Sequence, residues 1–332
     1  MNFIINILVK IIVMNKEVIK MDMYQKRKIR AEKKKDDSPK SFPSVGINWF
    51  PGHMVKAQNE IKNNLKLIDV VVEILDARVP IASHNKLMDE LAKDKKRIVV
   101  LNKSDLADKV ELTKWEDYYK NRGDVCVLTN ANKSENISKL VNEIRKQGKE
   151  IYEKKYSSKN IKVKPIYRCL IAGIPNVGKS TIINKIANRS AAATSNKPGV
   201  TRKNQWIRVG SDIELLDTPG ILMPRLDENN AGVKLALTGN IKLEVVDNEE
   251  LACSGINLLI NEGYKKLLVD SYSIEEELLD ELDSYDILEV IGRKRGCLVS
   301  GGNVDMSRAA NVLLDDIKNG KIGNIVLEKV EM

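Results

Sequence analysis

Apolar residues between positions 69 and 216 fall into six short runs, at 69–75, 97–101, 124–128, 166–172, 205–209 and 212–216. Runs of this length, rich in Val, Ile and Leu, predict buried β-strands. Segments with apolar residues three and four apart separate or follow them, near 84–93, 108–121 and 136–155, and predict helices. Strands alternating with helices predict an α/β fold with a mostly parallel, doubly wound sheet and right-handed crossovers. The last two runs flank Gly210-Ser211, which predicts a hairpin. Residues 55–67 have helical spacing at Val55, Ile61 and Leu65, and the Lys- and Ser-rich stretch 153–165 reads as a connector.

Beyond Pro224 the pattern changes. Val233, Leu235, Leu237, Leu251, Ile256, Leu259, Leu288, Ile291, Leu313 and Ile317 are spaced for helices, and strand signals nearly vanish. The chain of 332 residues therefore predicts a basic, flexible extension over 1–44, an α/β domain over 45–225 and a small helical domain over 226–332. Charge supports the division. Lys plus Arg minus Asp plus Glu is +6 over residues 1–50, +12 over 51–224 and −9 over 225–332. A basic front suits nucleic acid or an anionic surface, although a lysine-rich proteome would give the same excess. Cys126, Cys169, Cys253 and Cys297 are widely separated and the two histidines are His53 and His84. That pattern argues against a zinc site or disulfide framework and fits a reducing cytoplasm. Residues 3–14 are apolar but too short to span a membrane and are interrupted by Lys10.

Four motifs carry the chemistry. Gly173-Ile-Pro-Asn-Val-Gly-Lys-Ser180 fits G-x-x-x-x-G-K-[ST], with a strand before it and helix formers after it. Gly178 and its neighbours Asn176, Val177, Lys179, Ser180 and Thr181 would bring backbone N–H groups to phosphates. Lys179 would reach the β- and γ-phosphates, and Ser180 would ligate magnesium. Asp217-Thr-Pro-Gly220 follows a strand, placing Asp217 near magnesium and the Gly220 N–H near the γ-phosphate. Thr201, in Lys197-Pro-Gly-Val-Thr201, stands where a switch threonine would cap the metal, or is an ordinary loop residue. Asn102-Lys103-Ser104-Asp105 fits N-K-x-D: the Asp105 carboxylate can accept from guanine N1–H and N2–H, Asn102 would hold the loop, and Lys103 would cover the base. Asn130 and Ala131, after the third run, stand where a backbone N–H meets guanine O6.

The guanine-reading motif precedes the phosphate loop, the reverse of an ordinary GTPase. This order, with Trp49-Phe-Pro-Gly-His-Met54, Asp76-Ala-Arg-Val-Pro80 and Asp217-Thr-Pro-Gly-Ile-Leu222, resembles the circularly permuted ribosome biogenesis GTPase A family over about residues 45–332. The extension 1–44 has no counterpart in that pattern, and Arg202-Lys203 after the switch threonine departs from it. The resemblance implies a monomeric GTP-hydrolysing assembly factor for the large ribosomal subunit that binds ribosomal RNA and not DNA. It implies GTP or GDP and Mg2+ as ligands and slow turnover that the subunit stimulates. Asn176 also resembles the Asn of potassium-activated GTPases, which implies that it helps hold K+ beside the phosphates, although it could instead be a turn former. Ile221 follows the Asp-Thr-Pro-Gly glycine where Ras-like enzymes carry a water-orienting Gln. The resemblance assigns that task to His53, although His53 could instead cap a helix or bind RNA. His84 reads as a helix-start residue. Arg293-Lys-Arg295 is a second RNA candidate or a solvated turn. The alternative function is a non-ribosomal GTP-timed switch at a membrane surface or protein partner.

Overall fold

The computed structural model describes residues 62–156, 165–190, 205–218, 230–241 and 247–330, all within one compact unit, Ile47–Met332. Its centre is a sheet of six strands: β1 (Val70–Asp76), β2 (Lys96–Asn102), β3 (Val125–Thr129), β4 (Tyr167–Ala172), β5 (Gln205–Val209) and β6 (Ile213–Asp217). Their spatial order is β3-β2-β1-β4-β6-β5, and only the β5–β6 hairpin is antiparallel. Every residue of β1 is buried, as its unbroken apolar run requires of a central parallel strand.

Four strands run one residue further than their apolar runs predict. The added residues are Asp76, Asn102, Thr129 and Asp217. Ladder pairing continues through them, with Asp76 opposite Asn102, Asn102 opposite Thr129, and Asp217 opposite Ile171. The sheet thus ends on a row of polar side chains at its carboxyl edge. From β1 the chain winds outward through β2 and β3, then restarts at β4 on the other side. The β1/β4 junction is therefore the switch point at which such sheets bind ligands.

Helices α1 (Lys86–Leu91), α2 (Lys109–Asn121), α3 (Ile137–Tyr156) and α4 (Lys179–Ser190) connect or follow the strands. Asp108 caps α2 by accepting from the Val110 and Glu111 amides, satisfying two otherwise unpaired donors. This fixes the face of α2 that packs Leu112, Trp115 and Tyr119 against Leu75, Val99 and Leu101.

The remaining elements are α5 (Ala231–Leu237), α6 (Asn248–Asn261), α7 (Lys265–Tyr272), α8 (Glu276–Glu281), α9 (Ser284–Lys294) and α10 (Met306–Lys318). Helices α6, α9 and α10 pack on one another, each opened by an Asp (247, 283 and 305) that accepts from amides of its first turn. After α10 the chain returns to the α/β layer. Ile325 N–H donates to Leu106 O at 3.1 Å and Leu327 N–H to Arg78 O at 2.8 Å. Trp115 Nε1–H donates to Glu328 O at 2.9 Å. The Glu328 carboxylate accepts from the Ile81 amide at 2.6 Å and the Ala82 amide at 3.1 Å. Ile325, Val326 and Leu327 are buried in this seam.

His84 lies just before α1, with Nδ1 2.7 Å from Glu73 Oε1 and Nε2 2.7 Å from Asp89 Oδ2. Both partners are carboxylates, and two carboxylates are both satisfied only when both ring nitrogens donate, so the clamp favours the imidazolium form. Burial opposes that charge, but the bonds to Glu73 and Asp89 outweigh it and raise the His84 pKa. A raised folded pKa gives stability that is complete below the unfolded value near 6.5 and is lost as pH climbs through the folded value. His84→Gln should therefore cost about 1–3 kcal/mol near pH 6 and clearly less near pH 9. Urea unfolding of both proteins at the two pH values checks this, and equal losses would contradict it.

Candidate functional site

The loop between β4 and α4 needs two conformations that suit glycine. Gly173 has φ 148° and Gly178 φ 104°. A Cβ on Gly173 would run into Ile74 O of the neighbouring strand, and one on Gly178 into the Asn102 side-chain amide. Asn176 has φ 58°, in the left-handed region that Asn tolerates. The loop is thus pressed against the ends of β1 and β2. Lys179, 8% exposed, folds back over it and donates to Gly173 O at 2.9 Å and Ile174 O at 2.8 Å. Burial pulls its pKa down to about 8, and the nearby Asp217 carboxylate resists that fall. Val177 is buried, while Ser180 is exposed at the start of α4 beside Thr181.

Asn102 joins three segments. Its Nδ2 donates to Val177 O at 2.7 Å in the phosphate-type loop. Its Oδ1 accepts from Thr129 Oγ1 and from the Ala131 N–H, both at 3.1 Å. Asn102 thus ties the end of β2 to the phosphate-type loop and to the turn after β3. Ser104 Oγ adds a bond to Thr129 O at 3.0 Å. Asp105 follows in a short 3-10 turn (Ser104–Leu106) and is exposed at the rim. Asn130 is buried and turns the chain by accepting from the Lys133 amide.

Lys103 is drawn inward. Its Nζ lies 2.8 Å from Asp76 Oδ2 and 3.2 Å from Asn240 Oδ1. Asp76 also receives Arg78 Nε at 3.0 Å and Arg78 Nη2 at 2.9 Å, plus Asn240 Nδ2 at 3.0 Å. Burial alone would raise the Asp76 pKa, but Arg78 and then Lys103 outweigh it and hold the carboxyl well below the usual range. Arg78 also donates to Lys318 O and Thr238 O, each at 2.8 Å. Those carbonyls lie at the carboxyl ends of α10 and α5, where a cation is favoured. Asn176 Nδ2 donates to Asn240 O at 3.0 Å.

Among the described residues no group of three or more His, Cys, Asp or Glu could enclose a metal. Magnesium at a nucleotide needs only one or two protein oxygens, with phosphates and water completing its shell. The Ser180 hydroxyl and the Asp217 carboxylate suit that donor set. Asp217 is 3% exposed and close enough to Lys179 to shift its pKa. His53, Thr201, Gly220, Ile221 and the basic arm 24–40 lie outside the described residues. His84 sits in its carboxylate clamp between Glu73 and Asp89. Arg295 of the basic triplet pairs with Asp316 at 3.2 Å. Sequence reasoning missed Asn240 altogether and gave Asp76 and Arg78 no role.

The strand order, the glycine loop at the switch point and the Asn-Lys-x-Asp loop beside it define a P-loop GTPase with its motifs in permuted order. A family profile described as 50S ribosome-binding GTPase matches residues 168–283. Ribosome biogenesis GTPase A of Bacillus cereus is 40% identical over 285 residues, covering 86% of this chain and 94% of that protein. The protein of the same name from Thermotoga maritima is 30% identical and covers 86% and 95%. The crystal structure of GNP-bound YlqF from T. maritima matches with a TM-score of 0.53 at 29% identity, covering 82% of this chain and 98% of that one. The chain belongs to the ribosome biogenesis GTPase A family and is a GTPase.

The site geometry carries a stability prediction. Asp76→Ala leaves the Arg78 guanidinium, itself 1% exposed, without its carboxylate. Loss of one partner of a buried pair costs about 3–5 kcal/mol, so chemical denaturation should show a drop of that size. A drop below about 1 kcal/mol would mean that Asp76 is not the hub of this network.

Proposed function

We propose that this GTPase is a GTP-timed assembly factor for the large ribosomal subunit, acting through its ribosomal RNA. The observation that carries the nucleotide part is the Asn102 bridge. One side chain ties the phosphate-type loop to the end of β3, so phosphate and base elements share one edge of the sheet. The ribosomal part draws support from the names of the relatives and from the basic residues 24–40. We read 45–225 as the GTPase unit and 226–332 as the helical unit it moves.

In this reading the Asp105 carboxylate pairs with guanine N1–H and N2–H, the Asn130-Ala131 turn, which Asn102 Oδ1 holds through the Ala131 N–H, lies beside O6, and Lys103 covers the base. Loop amides at Val177, Gly178 and Thr181 surround the phosphates with Lys179. Magnesium, held by Ser180, Thr201 and Asp217, would neutralise phosphate charge; a potassium ion at Asn176 would add to that neutralisation. The Gly220 amide meets the γ-phosphate. Ile221 offers no polar group, so turnover is slow until His53 orients the attacking water in the subunit-bound state. Hydrolysis then loosens the segment leading to Pro224 and releases the helical unit's grip.

Guanine reading predicts a preference for GDP over ADP on the order of 10⁴. Asp105→Asn should erase it and favour xanthosine diphosphate, as measured by competition binding; equal binding of GDP and ADP to the wild type would sink the assignment. The ribosomal role is tested with purified large subunits. They should co-sediment with the protein more tightly under a non-hydrolysable GTP analogue than under GDP, in a salt-sensitive way. They should also raise its turnover, whereas lipid vesicles should not. His53→Ala should keep the subunit binding and lose the stimulated rate by roughly 10²-fold or more. Sedimentation indifferent to the nucleotide, or stimulation by vesicles instead, would favour the non-ribosomal switch.

A further inference from the structure

Asn240 is fully buried and follows α5, where Gly239 at φ 72° turns the chain back. Its backbone N–H donates to Leu235 O at 2.8 Å, and its other polar atoms have four partners. Nδ2 donates to Asp76 Oδ2 at 3.0 Å and Thr238 Oγ1 at 2.8 Å. Oδ1 accepts from Lys103 Nζ at 3.2 Å, and the backbone O accepts from Asn176 Nδ2 at 3.0 Å. A residue of the helical region therefore holds the base-type loop by its side chain and the phosphate-type loop by its backbone. Arg78, bound to the carbonyls that end α5 and α10, locks the seat in which Asn240 lies.

We propose that Asn240 is a positioning residue for nucleotide binding, through which the seating of α5 sets the affinity for guanine nucleotides. A lysine loses much rotamer freedom when it is fixed along a base. Asp76 and Asn240 anchor the Lys103 ammonium beforehand and leave its aliphatic stem as the part that lies over the ring. Binding then orders less of the side chain, and the affinity rises. This route needs no movement of the segment after Asp217, so it is separate from the γ-phosphate switch. It rests on the reading of Lys103 as the base-covering residue.

The test titrates a fluorescent GDP analogue into four full-length proteins: wild type, Asn240→Ala, Lys103→Ala and the double variant. Asn240→Ala should weaken binding on the order of tenfold, the scale of one buried hydrogen bond to a charge. In the Lys103→Ala background the same change should cost less than about a third of that, because its target is gone. The nucleotide-free Asn240→Ala protein melts lower on either reading, because buried partners are left unpaired; a purely structural role would leave the two losses of affinity additive. Unchanged affinity in folded Asn240→Ala, with Lys103→Ala defective, overturns the inference alone. Intact binding by Lys103→Ala overturns the reading of Lys103 and the inference with it. If Asn240→Ala does not fold, Thr238→Val removes the hydroxyl that accepts from Asn240 Nδ2 and bonds back to the Lys234 and Leu235 carbonyls, and should weaken GDP by about threefold. No loss there also overturns the inference.

Discussion

A carboxylate buried at the end of a central strand must find cationic or N–H donors or give up its charge. Asp76 finds them in Arg78, Lys103 and Asn240. Those three belong to different parts of the chain, and the need to satisfy one buried anion brings them to one point. Through Lys103 it reaches the base-type loop, and through Asn240 the phosphate-type loop. Through Arg78 it reaches the ends of two helices of the carboxyl-terminal region. The nucleotide edge and the helical region thus share a polar centre and are more than neighbours across an apolar contact.

The seam beside this centre works the same way. Glu328 is buried, and burial pushes its carboxyl pKa up, while Lys234 and the Ala82 and Ile81 amides pull it back. Those amides lie just after Arg78, so the returning chain is anchored where Asp76 and Arg78 are already fixed. The Arg78 backbone O itself accepts from the Leu327 N–H. The seam covers Val326 and places it against Trp115 and Leu101, extending the core of the α/β layer with residues from the far end of the chain.

Much of this was legible in the sequence. Buried parallel strands show as unbroken apolar runs, so all six strands were placed, and the motif loops are marked by Gly and Lys at fixed spacing. The runs stopped one residue early at Asp76, Asn102, Thr129 and Asp217, because a strand that ends in a site carries a polar residue as its last rung. That mismatch is itself a signal: polar residues closing apolar runs mark the edge of the sheet beside which the motif loops lie. The Asp76 network was hidden for another reason. Asn240 is 164 residues from Asp76, and Thr238-Gly-Asn240 reads as an ordinary helix-ending turn. Trp115 and Glu328 are 213 residues apart, and nothing local to either announces the other.

The central claim is that the nucleotide loops and the helical region are coupled through this buried centre. Coupling is reciprocal, so a ligand that settles Lys103 and Asn176 must also steady Asn240 and the helix before it. The direct measurement is amide hydrogen exchange over α5 (Ala231–Leu237) with and without GDP. The account predicts slower exchange in α5 on GDP binding in the wild type, with that protection largely lost in Asn240→Ala. Exchange in α5 that ignores GDP, while the amides around Lys179 become protected, would contradict it.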